Sequence, residues 1–185
     1  KEGKGHKENF SHTLEVLDNV AKYEIEAIAA GTLKDYVFED GVEVEKVRTE
    51  PNVWLRWAAL LHDIGKPDCR CYSNREGDTN AHYYGHPMRS MEIVRDDVFP
   101  ALASKGIALT PEEQRKLLYY VEYHDDRVSL RQKHLRRHLG MASLAEFQNL
   151  MLLQVADAKA HIMLPVIEER IHICQTWAGD YAIET

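Results

Sequence analysis

Apolar residues recur at helical spacing along most of the chain, and the places where that spacing breaks mark the ends of its elements. Leu14, Leu17, Ala21, Ile25 and Ile28 form one stripe of a helix that runs from Ser11, a candidate cap, to about Ala30, with Gly31 as its stop. His12 lies off that stripe. It shares the opposite side with Val16, Tyr23 and Ala27, so the helix is apolar on two faces and is expected inside the protein. Residues 32–52 are polar and irregular, with a turn or short hairpin at Phe38-Glu39-Asp40-Gly41-Val42.

The next apolar run, Val53, Trp54, Leu55, Trp57, Ala58, Ala59, Leu60 and Leu61, ends abruptly on His62 and Asp63. It predicts a helix from about Pro51 to Ile64, stopped by Gly65 and Pro67. Residues 68–85 read as a long loop, a kind of segment that is often functional in compact domains. Pro87 opens the following helix directly after His86, and Met91, Val94, Val98 and Leu102 mark its course. Thr110, Pro111 and Glu113 open another, with Leu117, Val121 and His124 on one face. Ser143 and Glu146 form a capping box ahead of a stripe of Phe147, Leu150, Met151, Gln154, Asp157 and Ala158, which puts an acid where a core residue is expected. A last helix, about Leu164 to Trp177, packs through Ile167, Ile171 and Cys174. No internal repeat, low-complexity tract or parallel-strand pattern interrupts this series, so the fold class is an all-α helical bundle.

Length and composition narrow the picture further. At 185 residues one domain spanning 1–185 is expected, with a core that needs no disulfide support. Thirty acidic against twenty-three basic residues argue against unspecific binding to a long polyanion, so no DNA partner is expected. No apolar stretch approaches the roughly 20 residues that cross a bilayer, and the N-terminal segment has no apolar core of a signal peptide. Cys69, Cys71 and Cys174 are odd in number and lack CxxC spacing, which fits a reduced, cytoplasmic chain. The first residue is Lys1 and not Met, so a piece excised from a longer protein is also compatible.

The pair at 62 and 63 carries the chemistry. An imidazole and a carboxylate are costly to bury unless each has a partner, and a metal ion satisfies both. His12, His86, His124 and Asp157 also occupy helix or helix-end positions. Singly, each reads as a hydrogen-bonded core histidine, a cap or an ion-pair partner. Jointly they favour a ligand set. Four imidazoles and two carboxylates suit Fe, Mn, Ni, Co or Zn better than Ca, and Mg is allowed.

His12, the His62-Asp63 doublet within LLHDIGKP and the distant Asp157 resemble the pattern of the HD-domain superfamily of metal-dependent phosphohydrolases, over residues from about 5 to 160. FSHTLEVLDNVA, LLHDIGKP and YYGHPMRS are most similar to the HD domain appended to some bacterial tRNA nucleotidyltransferases. The nucleotide-adding head of those enzymes is absent from the 185 residues, so that activity is not implied. The resemblance implies an HD-domain bundle with two divalent ions. His12, His62, Asp63 and Asp157 would hold one, and Asp63 would bridge to a second held by His86 and His124. Two ions so bridged stand roughly 3.5–4 Å apart, a spacing suited to in-line attack on phosphorus.

By the same resemblance Lys66 acts on substrate phosphate or near the nucleophile, which makes Asp63 and Lys66 the catalytic pair. Arg89 and Arg127 are secondary candidates for phosphate oxygens, with a surface ion pair an equally good reading. The expected function is a phosphodiesterase or phosphatase that uses metal-activated water on a small phosphorylated substrate, a nucleotide or a terminal phosphate, with tRNA as a further partner. Two alternatives use the same residues: a di-iron HD-type oxygenase, and a non-catalytic accessory domain that binds nucleotide or tRNA. The basic stretch Arg127, Arg131, Lys133, Arg136, Arg137 reads first as a solvated helix face. Tyr72, Tyr83 and Tyr84 either flank a base or pack the loop. His6, His82, His161 and His172 receive no ligand role.

Overall fold

The computed structural model describes residues 9–179. Eight α-helices dominate it: α1 (Asn9–Ala30), α2 (Val53–Leu61), α3 (His86–Ile93), α4 (Phe99–Ser104), α5 (Pro111–Tyr123), α6 (Gln132–Leu139), α7 (Leu144–Lys159) and α8 (Pro165–Gly179). Two small antiparallel sheets accompany them, β1 (Lys34–Glu39) with β2 (Val42–Val47), and β3 (Cys71–Tyr72) with β4 (Ala81–His82). The architecture is the expected all-α bundle. None of the described helices is long and apolar enough to cross a membrane.

α7 is the axis of the molecule. Its Ser143–Glu146 capping box forms as the sequence predicts, and every residue from Ala145 to Ala158 is buried against α1, α2, α5, α6 or α8. A helix covered on all sides must supply partners for its own polar groups. Gln148 Nε2 donates to Thr32 O at 3.0 Å, Asn149 Nδ2 to the Tyr120 hydroxyl at 2.9 Å, and Gln154 Nε2 to the carbonyls of Tyr123 and Asp126 at 3.0 and 2.8 Å. These bonds fix how far α7 is rotated and slid. They therefore fix where Asp157, at its C-terminal end, points.

α1 differs from its expected form in two ways. It begins at Asn9, which leaves Ser11 inside the first turn instead of capping it. Its buried face is His12, Thr13, Val16, Val20 and Glu24, while Leu14 and Ile25 of the expected stripe are exposed. The reason is a buried polar network that local pattern does not reveal. Glu24 accepts from Arg56 Nη1 at 2.5 Å, from Arg48 Nη1 at 3.3 Å and from the Asn52 N–H at 2.8 Å. Arg48 in turn donates to Asp35 and to Asn149 of α7. Charges this deep are retained only when so paired, and pairing turns the helix toward α2 and α7.

The region 32–52, read as irregular with at most a short hairpin, contains a hairpin of two six-residue strands. Asp40 and Gly41 both have positive φ, 50° and 78°, the backbone of a two-residue turn that matches strand twist. α2 starts at Val53, two residues later than expected, because the Asn52 side chain caps it by accepting from the Trp54 and Leu55 N–H groups. α3 continues into α4 through a wide π-type turn at Val94–Val98, just before Pro100, which has no N–H to continue a regular ladder.

Candidate metal centre

Five helices end or begin at one place. α1 contributes His12; the turn leaving α2 contributes His62 and Asp63; α3 begins with His86; α5 is closed by His124; the last turn of α7 carries Asp157. The exit of α2 lies directly on the backbone of α3. A side-chain carbon at Gly65 would stand 2.5 Å from Ser90 N, and 2.9 Å from both Arg89 C and His86 O. Only glycine allows that approach, and the Gly65 N–H donates to Ser90 Oγ at 2.9 Å across it. Asp63 is thereby pressed toward His86.

All six residues converge as two groups that share Asp63: His12, His62, Asp63 and Asp157 in one, and Asp63, His86 and His124 in the other. In the first, His12 Nε2 is 2.8 Å from Asp157 Oδ1, and His62 Nε2 is 3.3 Å from Asp63 Oδ2 and 3.5 Å from Asp157 Oδ1. In the second, Asp63 Oδ1 is 3.2 Å from His86 Nε2 and 3.4 Å from His124 Nε2. The two oxygens of one carboxylate thus face different groups.

Three of the histidines have their tautomer fixed. Nδ1 of His62, His86 and His124 each bonds a main-chain carbonyl three residues earlier, at Ala59 (2.7 Å), Tyr83 (2.8 Å) and Val121 (2.6 Å). A carbonyl only accepts, so Nδ1 donates, and in the neutral ring Nε2 keeps its lone pair toward the centre. His86 Nε2 and His124 Nε2 then face one another at 3.2 Å as two acceptors. His62 Nε2 and Asp63 Oδ1 are buried without a hydrogen bond, although donors and acceptors crowd around them. A hydrogen-bonded core histidine does not look like this. Lone pairs aimed at a common point are the geometry of a ligand set, and these residues could hold metal ions.

The electrostatics agree. Burial opposes a charge on His62, yet Asp63 and Asp157 outweigh it and push its pKa up to about 10. Burial also opposes charge on Asp63 and Asp157, but the surrounding imidazoles, His62 foremost for Asp63 and His12 for Asp157, hold both carboxyls well below the usual range. The centre is short of positive charge. In the metal-free protein, stability supplied by His62 is fully present below its ordinary pKa of 6.5 and lost as pH rises toward 10. Stability supplied by the two carboxylates is present above their ordinary value of 3.8 and lost below it. Thermal melts of chelator-treated protein should therefore peak between these limits and decline from pH 6.5 to 10. Metal uptake should strengthen over the same rise, because the ion displaces a proton. A metal-free melting temperature that climbs through this window would contradict the assignment.

Lys66 lies at the edge of the centre, with Nζ 2.6 Å from Asp63 Oδ2 and its side chain partly exposed. Arg89 is outside it, on the surface, with Nε donating to Asp68 at 2.7 Å and Glu92 nearby. Arg127 is exposed. The basic face of α6 is solvated at Lys133, Arg136 and Arg137, and Arg137 pairs with Asp126.

Sequence reasoning missed several neighbours. His161, given no role, has Nε2 3.5 Å from Asp157 Oδ1 and its ring 4.6 Å from that of His12, with 45% of the side chain exposed. Its position one turn after Asp157 was the available signal. Arg170 of α8 donates to the His124 carbonyl at 3.2 Å and to Asp125 Oδ1 at 2.9 Å, and so braces the turn that presents His124. No local pattern points to it.

Residues 9–160 match the HD domain, which is most of the chain. The chain belongs to the HD-domain family, within a superfamily that consists generally of metal-dependent phosphohydrolases. No curated protein and no solved structure matches it.

Proposed function

We propose that this protein is a metal-dependent phosphodiesterase or phosphatase acting on a nucleotide or a terminal phosphate, as a single HD unit over 1–185. The observation that carries the reading is the pair of donor groups sharing Asp63, with three Nε2 lone pairs turned inward by main-chain carbonyls. His12, His62, Asp63 and Asp157 would hold one ion, and Asp63, His86 and His124 a second. Bound divalent ions supply charge that acidifies water and offsets the charge developing on phosphorus.

The chain's own residues do the rest. Asp63 offers one oxygen to each group, and the backbone bonds of His62, His86 and His124 keep their rings from swinging away. Lys66 is held beside Asp63 with a flexible stem, so it can leave that carboxylate for a phosphate oxygen. Arg89 and Arg127 are candidates for more distant phosphate oxygens; Arg89 would have to release Asp68 first. The likeness of FSHTLEVLDNVA, LLHDIGKP and YYGHPMRS to the HD domain of tRNA nucleotidyltransferases supports the nucleotide side, with an RNA end as the larger form of the same ligand. Three free cysteines support a cytoplasmic setting.

Elemental analysis followed by a substrate panel tests this. Protein loaded with Mn, Ni, Co, Fe or Zn should release phosphate or open the ester of at least one among 2′,3′-cyclic nucleotides, 2′- or 5′-monophosphates and dinucleoside polyphosphates. Silence on the whole panel with every metal would defeat the reading. Oxygen uptake dependent on iron, without phosphate release, would move the protein to the oxidative branch.

A further inference from the structure

The segment between Lys66 and His86 is not a plain connection. It folds back as the β3–β4 pair, with Cys71 opposite His82 and Tyr72 opposite Ala81. Beyond β4, the Tyr84 ring lies parallel to that of His82, centroids 5.3 Å apart and planes 3° apart. His82 is held from another side by Asp78, its Nε2 bonding Oδ2 at 2.8 Å. Tyr84 itself is 73% exposed. An aromatic ring fixed on one face and open to water on the other is ready to take a second ring at little further cost in side-chain freedom.

Its surroundings say what that ring should be attached to. Tyr83, the preceding residue, gives its carbonyl to His86 Nδ1, and Tyr84 itself stands two residues before His86 of the candidate metal centre. Gly85, in the left-handed conformation at φ 76°, makes the bend between them. Lys66 Nζ is both 2.6 Å from Asp63 Oδ2 and 5.8 Å from the centre of the Tyr83 ring. On the other strand, the Arg70 guanidinium stands 5.6 Å from the ring of Tyr72, which is 60% exposed. An exposed aromatic ring, Tyr84, and a cation beside the candidate metal centre, Lys66, thus sit at the two ends of one short folded segment. A molecule that satisfies both needs a flat ring at one end and a phosphate at the other.

We infer that Tyr84, stacked on His82, is the base platform of this site, and that the ligand is a nucleotide whose base lies on Tyr84 while its phosphate reaches Lys66 and the metal centre. The inference rests on the phosphate-binding part of the function proposed above, chooses the nucleotide over other terminal phosphates, and adds the residue that takes its base. Because every base has a π-face, the platform favours nucleotides over baseless sugar phosphates without choosing strongly among bases.

Calorimetric titration of the Mn-loaded protein with 5′-adenosine monophosphate and with ribose 5-phosphate tests it, with released phosphate measured in parallel. The nucleotide should bind roughly tenfold tighter, a gain within the range of one base–aromatic stack. Tyr84→Ala should remove that difference and Tyr84→Phe should keep it; circular dichroism confirms that each variant is folded. Equal affinities in the unaltered protein, no binding of either probe, or a preference that survives Tyr84→Ala would each overturn the platform. Nucleotide preference that depends on Tyr84 but comes with no ester cleavage under any metal would uphold the platform and defeat hydrolysis instead. Cleavage of ribose 5-phosphate as readily as of the nucleotide would do the reverse.

Discussion

Replacing Asp63 with alanine should abolish turnover while leaving the helices in place. The carboxylate is the one group that belongs to both donor sets, with Oδ2 toward His62 and Lys66 and Oδ1 toward His86 and His124. Alanine leaves His86 and His124 as a two-residue set and reduces the other to three. Metal content, read by elemental analysis, should fall from about two ions per chain to one or none. The rate on whichever phosphate ester proves to be the substrate should fall by at least about 10²–10³-fold, the cost of losing a single preorganised electrostatic stabiliser elsewhere. A variant that keeps both ions and most of its rate would remove Asp63 from the bridging position. If the protein loses metal and melts early, and the unaltered chain never had activity to lose, the ions serve as a structural staple and the accessory-domain reading takes over.

The second large effect is expected at a residue with no functional group. Gly65→Ala would drive a methyl into the backbone of α3, with Ser90 N, Arg89 C and His86 O all inside 3 Å. None of these atoms is the end of a flexible side chain that can step aside. The junction must open, at a cost of ~2–3 kcal/mol for overpacking. For a chain of this length that corresponds to a melting temperature lower by roughly 4–12 °C. The shift should be accompanied by weaker retention of the ion near His86 than of the ion near Asp157, because the opening separates Asp63 from His86 but leaves α1 and α7 alone. Melting and metal retention unchanged from the parent would show that the α2–α3 contact is looser than described.

Of the six residues of the candidate centre, His62 and Asp63 were legible as a polar doublet ending an apolar run, His12 and His86 through their places in the family's pattern, and His124 and Asp157 as polar groups at positions that helical spacing reserves for apolar ones. His124 stands in line with Leu117 and Val121, and Asp157 in line with Leu150 and Met151. The helices themselves were legible for the complementary reason, with caps at Thr110 and Ser143 formed as their sequence signatures indicate. What escaped depends on partners distant along the chain. α1 has apolar residues on two sides, and only the pairing of Glu24 with Arg48 and Arg56 decides which side faces inward. The hairpin looked irregular because both strands carry charges and β2 is largely exposed, so its burial leaves no alternation to read. His161 follows the end of α7 in a stretch with no periodicity, and its closeness to His12 arises from chain 149 positions away.

The family likeness ends at residue 160, and the working unit does not. α8 lies wholly past that point, yet Arg170 clamps the His124 carbonyl and the indole of Trp177, itself fully buried, donates to Ser129 O at 3.0 Å. Two main-chain acceptors in the connection between α5 and α6 thus depend on a helix that carries none of the signature residues. A chain cut at the edge of the recognisable pattern would keep every candidate ligand and lose the buttress beneath one of them. Boundaries drawn by resemblance would mark the chemistry here and miss its foundation.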